Sequence, residues 1–223
     1  MEKEFIVTAD GSHTIALPEL NVLYHSRHGA IQESMHVFIE AGLRHLLNRS
    51  TIQPLNLFEM GLGTGLNAFL TAIEAQRRQW PVRYTAVEQF PLGPEEAGGL
   101  NYTETLHHEA CFTALHQSSW GEEVRINDYF TLRKEQTSLL NFSVTRVFDL
   151  IYYDAFAPAA QPELWTREVF EKMYYMLGPA GLLVTYCSKG DVRRALMAAG
   201  FAVTKLPGPK GKREMLRAEK ALR

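Results

Sequence analysis

Apolar residues follow two different spacings along the chain. Runs of strand length occupy residues 55–58, 82–88, 124–127, 147–153 and 181–186. Between these runs apolar residues recur three and four positions apart, as Leu66, Phe69, Leu70 and Ile73 do after the first run, which indicates amphipathic helices. Strands that alternate with such helices are typical of a mainly parallel sheet covered by helices on both faces.

The pattern of the first fifty residues predicts a small cap on the main domain. Residues 5–9 and 13–17 flank an Asp-Gly pair, which is a strong short-range signal for a hairpin. Apolar residues at helical spacing then predict a helix over residues 31–47. We expect residues 1–50 to form a hairpin-and-helix cap laid against the main domain.

The main domain, residues 51–223, is predicted to end in an antiparallel pair. Residues 201–206 and 214–218 flank a turn rich in Pro and Gly, as the two strands of a hairpin do. The predicted fold is therefore α/β and Rossmann-like. It consists of a mostly parallel, doubly wound sheet closed by an antiparallel C-terminal hairpin, with the small N-terminal cap.

Three elements in the middle of the main domain complete the prediction. A single helix is predicted over residues 103–117. Residues 124–127 are predicted to be the third parallel strand, which would end at Asp128. A further helix is predicted to begin near Pro162 and to end at Gly178, because proline suits a first helical turn and glycine stops a helix.

The turn after the first strand of the main domain carries three glycines. Gly61, Gly63 and Gly65 alternate with other residues, a pattern that lets the backbone turn sharply and lets a ligand lie against bare main chain. A dinucleotide-binding turn would have its third glycine at the position of Leu66. With Glu59 two residues before the first glycine, the turn resembles the first motif of S-adenosylmethionine-dependent methyltransferases. The alternative is a tight strand-to-helix turn without a ligand.

Acids stand at the ends of three predicted parallel strands. Glu59 ends the first, Glu88 the second and Asp128 the third. Ligands of doubly wound sheets bind outside the carboxyl ends of the strands, so we expect these acids to converge on one crevice. Glu88 follows Gly65 at the distance where a carboxylate accepts hydrogen bonds from the hydroxyls of a nucleotide ribose.

A second informative stretch follows the fourth predicted strand. It runs from Asp154 to Pro158 and resembles the Asp-Pro-Pro-Tyr/Phe type of loop in amine methyltransferases. An alkylamine with a pKa near 10.4 is mostly protonated at neutral pH, so a carboxylate is needed to orient it and take its proton. Phe156 could steady the cation through its ring face. The alternative is that Asp154 caps a helix and Phe156 packs in the core.

Several motifs together carry a resemblance to one family. They are the Glu-x-Gly-x-Gly-x-Gly-Leu-Asn run at 59–67, the segments 87–92, 154–158, 162–165 and 211–216, and the N-terminal segments 24–26 and 33–38. Over about residues 10–218 the chain is similar to the tRNA 5-(aminomethyl)-2-thiouridylate methyltransferases, which are the methyltransferase half of MnmC and its stand-alone form MnmD. Ala155 stands where that family more often has glycine.

The resemblance implies a class I methyltransferase fold and an activity. The enzyme would methylate the amine of 5-aminomethyl-2-thiouridine at the wobble position, with S-adenosylmethionine as cofactor and the tRNA anticodon stem-loop as partner. Asp154 and Phe156 would be catalytic. The cofactor would be bound by Glu59, Gly61, Gly63, Gly65, Asn67, Glu88, Asp128, Tyr24 and Ser26. The FAD-dependent oxidase half of the fused enzyme has no room in 223 residues.

Charge is distributed unevenly along the chain. The net charge is −2, but residues 189–223 carry +7, which leaves −9 for residues 1–188. One basic end suggests a local contact with a polyanion. The basic residues that could hold phosphates of the stem-loop are Lys189, Arg193, Arg194, Lys210, Lys212 and Arg213. The alternative is a solvated surface.

Other signals narrow the function classes. No apolar run reaches the length of a membrane span, no secretory signal is present, and Cys111 and Cys187 are widely separated, so we expect no membrane contact and a cytoplasmic protein. His25, His28, Glu33 and His36 lack the spacing of a metal site. Four alternatives stay open: an S-adenosylmethionine-dependent N-methyltransferase that acts on another amine, a nicotinamide oxidoreductase, an aminopropyltransferase of the same fold, and a tRNA-binding protein without catalysis.

Overall fold

The computed structural model describes residues 3–49, 51–143 and 146–221. Two sheets are present in these residues. The smaller, near the N-terminus, consists of β1 (Glu4–Val7), β2 (His13–Leu17) and β3 (Val22–Leu23), all antiparallel. The larger consists of β4 (Leu55–Met60), β5 (Val82–Val87), β6 (Glu123–Asn127), β7 (Phe130–Glu135), β8 (Phe148–Tyr153), β9 (Leu177–Thr185), β10 (Ala202–Pro207) and β11 (Glu214–Glu219).

Helices precede, separate and cover these strands. They are α1 (Ala30–Ser34), α2 (His45–Leu47), α3 (Leu66–Arg78), α4 (Pro94–Gly98), α5 (Tyr102–Leu106), α6 (Glu109–Gln117), α7 (Arg167–Met176) and α8 (Gly190–Ala198). A π-helix, Met35–Arg44, joins α1 to α2, so that residues 30–47 form one continuous helical run, which we call the N-terminal helix. Two short 3₁₀ helices cover Pro18–Leu20 and Pro162–Trp165.

The order of strands in the large sheet confirms the predicted architecture. The order is β10-β11-β9-β8-β4-β5-β7-β6. The five central strands, β9, β8, β4, β5 and β7, are parallel to one another. The β10–β11 hairpin joins antiparallel to β9. A mostly parallel sheet closed by an antiparallel C-terminal hairpin is therefore present, as the sequence predicts.

The two faces of the sheet bury different hydrophobic cores. Alternate residues of a strand point to opposite faces, so Leu57 joins one core while its neighbour Phe58 joins the other. The N-terminal helix, α3 and α6 cover the first face, and α7 and α8 cover the second. Gly42 allows the N-terminal helix to lie directly on the sheet, since a Cβ there would come 3.0 Å from Val184. Helices on both faces leave the carboxyl ends of the parallel strands open.

The strand predicted over residues 124–127 is present but is not parallel to its neighbour. The position predicted for Asp128 is wrong for the same reason. β6 is an antiparallel edge strand paired with β7, and the third parallel strand is β7, which the sequence reading missed. Asp128 lies in the turn before β7, at the amino ends of the parallel strands, where it is exposed and pairs with Arg125 at 2.7 Å. The prediction that Asp128 joins the crevice is wrong, because the turn reverses the chain direction at that point.

Two helix predictions also need correction. The helix predicted over residues 103–117 is broken into α5 and α6, because His107 and His108 both have positive φ, at 60° and 62°. The helix expected to begin near Pro162 begins with the 3₁₀ helix, and α7 follows after Thr166, whose side chain caps it through Val169 N at 3.4 Å.

Candidate active site

A cavity of about 900 Å³ opens at the carboxyl ends of the parallel strands. Its walls are the glycine turn after β4, the segments that follow β5, β7, β8 and β9, and residues 20–26 with Glu33 from the N-terminal segment. Lys212, from the turn between β10 and β11, also lines it. This is the edge of the sheet at which ligands of doubly wound folds bind.

The glycine turn needs its glycines for two different reasons. All three have positive φ: Gly61 at 87°, Gly63 at 52° and Gly65 at 73°, a conformation that other residues adopt only with strain. A Cβ at Gly61 would lie 2.8 Å from the carbonyl oxygen of Asp154, and one at Gly63 would lie 3.0 Å from the Tyr24 ring. Gly61 and Gly63 line the cavity, whereas Gly65 begins α3 and packs against His116.

Glu88 joins the glycine turn to the end of β5. Its Oε2 accepts a hydrogen bond from Gly63 N at 3.0 Å, and its Oε1 accepts one from Phe90 N at 2.8 Å. A carboxylate oxygen has two lone pairs, so both oxygens keep the capacity to accept from a ligand. Glu88 is half-buried and lines the cavity, as predicted for its position at the end of the second parallel strand.

Asn67 holds two acids through one amide nitrogen. Its Nδ2 donates to Glu59 Oε1 at 3.0 Å and to Asp154 Oδ2 at 2.9 Å. Glu59 is fully buried behind Asn67, does not line the cavity, and has no partner for Oε2 among the described residues. Burial raises the pKa of Glu59 well above its usual value, which favours the protonated form. Glu59 therefore reaches the cavity through Asn67, although the sequence placed it in the crevice itself.

The loop that carries Asp154 is fixed along its whole length. Asp154 N donates to Met60 O at 3.0 Å, which ties the loop to β4. The next residues are held by side chains: Tyr186 Oη donates to Ala155 O at 2.8 Å, Trp165 Nε1 donates to Phe156 O at 2.8 Å, and Gln161 Oε1 accepts from Phe156 N at 2.9 Å. The side chains of Asp154 and Phe156 are thus presented to the cavity by a rigid backbone.

Asp154 is poised between its two protonation states. Burial is the main cause that raises its pKa, and the nearby Glu33 carboxylate adds to it. The hydrogen bond from Asn67 and the Lys212 ammonium act in the opposite direction, and the resulting pKa is about 7. A carboxyl with that pKa can accept and release a proton near neutral pH, which is the requirement for a general base.

Two aromatic rings meet at the wall of the cavity. Tyr24 and Phe156 pack edge to face, with centroids 5.2 Å apart and an angle of 84° between the ring planes. Both line the cavity, beside Ser26. The backbone nitrogen of Ser26 donates to Glu33 Oε2 at 2.8 Å, which connects this wall to the N-terminal helix.

The predicted basic residues divide into two groups. Lys189, Arg193, Arg194, Lys210 and Arg213 are exposed around the beginning of α8 and the β10–β11 turn, on the same side of the sheet as the cavity. Arg194 pairs with Asp191, and the other four make no salt bridge within the described part of the chain. Lys212 instead reaches inward to Glu33.

Three cavity residues were missed or misassigned by sequence reasoning. Glu33 was considered and rejected as a metal ligand, Tyr186 was placed at the end of a strand, and Lys212 was assigned to a phosphate contact. A carboxylate and a lysine 179 positions apart give no local pattern, although their hydrogen bond is direct. The one available signal was that Tyr186 directly follows a parallel strand, where cavity residues are expected.

The cavity has the features that a nucleoside cofactor requires. The bare backbone of Gly61 and Gly63, Glu88 with free acceptor capacity, and the volume of about 900 Å³ occur together in one place. In the residues described, no helix has both the length and the apolar character needed to cross a membrane.

Comparison with known proteins gives matches over the whole chain. A family model described as S-adenosyl-L-methionine-dependent methyltransferase matches residues 109–221, just over half of the chain. The tRNA 5-methylaminomethyl-2-thiouridine biosynthesis bifunctional protein MnmC of Aeromonas salmonicida is 30% identical over 220 residues, which cover 89% of this chain and 32% of that protein. The chain thus spans about a third of the length of the curated relatives it matches.

Two solved structures share the fold. The crystal structure of MNMC2 from Aquifex aeolicus superposes with a TM-score of 0.80 at 24% identity, covering 100% of this chain and 71% of that one. Spermidine synthase from Thermotoga maritima superposes with a TM-score of 0.56 at 13% identity, covering 99% of this chain and 70% of that one. At these identities the likeness shows the fold alone.

Proposed function

The chain belongs to a family of S-adenosyl-L-methionine-dependent methyltransferases, and we propose that it methylates the amine of 5-aminomethyl-2-thiouridine at the wobble position of tRNA, giving 5-methylaminomethyl-2-thiouridine. The observation that carries the proposal is Asp154, a carboxyl with a pKa of about 7 on a rigid loop beside the glycine turn. The name of the curated relative points to the same nucleoside.

Residues of the cavity wall would hold the cofactor. We assign its binding to the backbone at Gly61 and Gly63, to Glu88 and Asn67, and to Tyr24 with Ser26 across the cavity. Gly65 and Glu59 would act indirectly, since Gly65 starts α3 and Glu59 fixes Asn67. When bound, S-adenosylmethionine supplies an electrophilic methyl group on a sulfonium.

Asp154 would prepare the amine for methyl transfer. The substrate arrives mostly as an ammonium, because an alkylamine has a pKa near 10.4. Asp154 in its ionised form attracts this cation and accepts one proton through Oδ1 or Oδ2, which leaves the nitrogen lone pair free to form the new N–C bond. The ring of Phe156 would stabilise the cation through a cation–π interaction of about 0.5–2 kcal/mol.

The exposed basic residues would hold the RNA. Lys189, Arg193, Lys210 and Arg213 lie on the cavity side of the sheet without a salt bridge among the described residues, and Arg194 lies beside them. We propose that this edge binds phosphates of the anticodon stem-loop while the wobble base enters the cavity. A base in a loop is splayed out at small cost, because it is not part of a duplex.

The family assignment also orders the alternatives. It favours methyl transfer over the nicotinamide oxidoreductase and the aminopropyltransferase that the sequence left open, and the likeness to spermidine synthase adds only the fold. We further propose that residues 1–50 act as a cap on the site and that the protein works in the cytoplasm. Cys111 and Cys187 are both free thiols, which suits a reducing compartment.

The test is methylation of tRNA that was made without this protein. Bulk tRNA from cells that lack this protein is incubated with the purified protein and S-adenosylmethionine, and the nucleosides are analysed by mass spectrometry. We expect 5-aminomethyl-2-thiouridine to be converted to its N-methyl form. If the protein binds S-adenosylmethionine but this nucleoside stays unmethylated, the proposed substrate is wrong.

A further inference from the structure

Lys212 lies inside the cavity although its neighbours on the β10–β11 turn are exposed. The turn is closed by hydrogen bonds from Gly208 N to Arg213 O at 3.1 Å and from Lys212 N to Pro209 O at 2.8 Å. Gly211 packs closely on the ring of His28, so a side chain there would have to displace this ring. The turn is therefore fixed against the N-terminal segment, and Lys212 is the residue of the turn that lines the cavity.

The Lys212 ammonium is held by two groups. Its Nζ donates to Glu33 Oε1 at 2.5 Å and lies 3.9 Å from the centroid of the Tyr186 ring. Glu33 is 7% exposed, and its other oxygen accepts from Ser26 N. Because Glu33 is buried and Lys212 is half-buried, their fields are screened less than those of fully exposed charges.

Asp154 is the titratable group on which this pair acts. The titratable groups that interact with it come from several surrounding elements: Glu59 on β4, Tyr84 on β5, Tyr186 after β9, Glu33 from the N-terminal helix, and Lys212 from the hairpin turn. His25 interacts with Glu33 and Lys212. Burial lowers the pKa of His25 to about 4, so His25 is neutral at pH 7. Burial raises the pKa of Glu59 well above its usual value, which favours its protonated form. Glu33 and Lys212 are the remaining charged neighbours in this set.

We propose that Glu33 and Lys212 are positioning residues, an internal ion pair that sets the charge of Asp154, with Lys212 favouring the carboxylate and Glu33 opposing it. The inference rests on the proposed amine methylation, since a site that removes a proton from an ammonium needs a carboxyl balanced between its two forms. It gives Lys212 a role inside the cavity in place of the phosphate contact expected from sequence.

Opposite signs for the two residues follow from their charges. Lys212 lowers the pKa of Asp154 and Glu33 raises it. Removing the Lys212 charge should therefore shift the titration of Asp154 to higher pH, and removing the Glu33 charge should shift it to lower pH. A neighbouring charge at short range moves a carboxyl pKa by about 1 unit or more.

The experiment is a carbon NMR titration of the carboxyl groups in protein labelled with ¹³C-aspartate, without cofactor and without RNA. The chain has five aspartates, and the Asp154 signal is identified by its loss in Asp154→Asn. We expect a midpoint near pH 7 for the unaltered protein. The midpoint should rise by about 1 unit in Lys212→Met and fall by a similar amount in Glu33→Gln.

Two matched variants control for indirect effects. Lys212→Arg keeps the charge and should keep the midpoint within about 0.3 units, which is well inside the shift expected from charge removal. Lys205→Met removes a charge from the exposed strand β10 of the same hairpin, outside the cavity, and should leave the midpoint unchanged. Midpoints that stay fixed in Lys212→Met and Glu33→Gln, or that move in the same direction, would overturn the proposal. A general loosening of the fold would expose Asp154 to water and lower its midpoint in both variants. It therefore cannot explain shifts in opposite directions.

The pH profile of methyl transfer separates this inference from the function it serves. With tRNA as substrate, the rising limb of the profile should move to higher pH in Lys212→Met by the same amount as the NMR midpoint. If the midpoints shift as expected but tRNA is not methylated, the substrate proposal fails while the ion pair stands. If tRNA is methylated and the midpoints do not shift, the ion pair fails alone.

Discussion

Asn67 shows how far residue-level reasoning from the sequence extends. The family resemblance implied that Asn67 would bind the cofactor, and Asn67 lines the cavity. No local pattern indicates that its amide nitrogen bridges Glu59 and Asp154, which are separated by 95 positions. Roles that follow from a local motif were predicted, whereas roles that need two distant segments to meet were not. Glu33 and Lys212 belong to the second kind.

Asp154→Ala tests the central residue of the proposed mechanism. We expect the rate of methyl transfer to fall by about 100-fold or more, the usual scale for loss of a positioned base, while binding of S-adenosylmethionine stays within about twofold. Single-turnover kinetics with tRNA and calorimetry with the cofactor measure the two quantities. Raising the pH should partly restore the rate, because solvent then deprotonates the amine.

A different pH response would change the assigned role of Asp154. A low rate that stays flat with pH would mean that the carboxylate orients the amine without taking its proton, leaving the positioning effect of the site as the main contribution. An undiminished rate would remove Asp154 from the mechanism. Asp191→Ala, at an exposed aspartate outside the cavity, is the matched control and should behave like the unaltered protein in cofactor binding.

At the scale of elements, four of the five parallel strands were predicted from their apolar runs, whereas β7 was not. β7 alternates buried and half-buried residues, but its third buried position is occupied by Lys134. Lys134 is 2% exposed, and its ammonium donates to the carbonyl oxygens of Leu115 and His116 at the end of α6. A lysine at a buried position conceals the pattern of a strand, because its burial depends on acceptors supplied by another element.

The role of the glycine turn in cofactor binding can be tested by substituting Gly61, with Gly11 as the control position. In Gly61→Ala the new Cβ meets the carbonyl oxygen of Asp154 at 2.8 Å, so the turn and the Asp154 loop must move apart. We expect the affinity for S-adenosylmethionine to fall at least tenfold, measured by calorimetry. Gly11→Ala has a similar φ, 84°, with no atom within 4 Å of the Cβ. Gly11→Ala should lower the free energy of unfolding by about 1 kcal/mol through backbone strain. It should leave the affinity for S-adenosylmethionine unchanged.

If both variants bind the cofactor as well as the unaltered protein does, the close approach of Gly61 to Asp154 is not needed for binding. Equal losses of affinity in both would instead point to a general effect of strain. Only a loss confined to Gly61→Ala supports the assignment of this turn as the cofactor cradle.

Glu74 connects the N-terminal helix to α3. It is 4% exposed and binds three guanidinium groups: Arg44 of the N-terminal helix at 2.9 Å, Arg77 at 2.8 Å and Arg78 at 2.5 Å. Although burial raises its pKa, the hydrogen bonds from these arginines together hold it below the usual value. A carboxylate in such surroundings stabilises the folded protein as long as it remains ionised.

Glu74→Gln should therefore lower the free energy of unfolding at pH 7 by about 1.5–3 kcal/mol, the usual contribution of hydrogen bonds to a charged group. Because the folded pKa lies below the unfolded one, the contribution is present above about pH 4.5 and is lost as the pH falls further. Urea denaturation at pH 7 and at pH 3.5 measures the difference. If Glu74→Gln is less stable than the unaltered protein by the same free energy at both pH values, the loss comes from packing and not from charge.

For the whole molecule, the distribution of charge connects the sequence to the proposed substrate. The excess of +7 in residues 189–223 is a sequence observation. The structure adds that α8 begins beside the β10–β11 turn, so that residues far apart in the chain form one basic edge next to the cavity. Composition left open whether the basic end contacts a polyanion or is only a solvated surface. The fold shows which of the basic residues face solvent and which one, Lys212, turns inward.

The basic edge can be tested by the salt dependence of tRNA binding. Each phosphate contact contributes about 0.7–0.9 to the slope of log K against log salt concentration, because counterions are released on binding. Lys210→Gln combined with Arg213→Gln should therefore lower the slope by about 1.5 and weaken binding at low salt, with unchanged affinity for S-adenosylmethionine. Arg83→Gln combined with Arg125→Gln removes the same charge at exposed positions nearer the amino ends of the strands, and its slope should match that of the unaltered protein. If the slope falls equally in the two double variants, the protein attracts tRNA through its net charge alone. The basic edge beside the cavity then has no special part in binding.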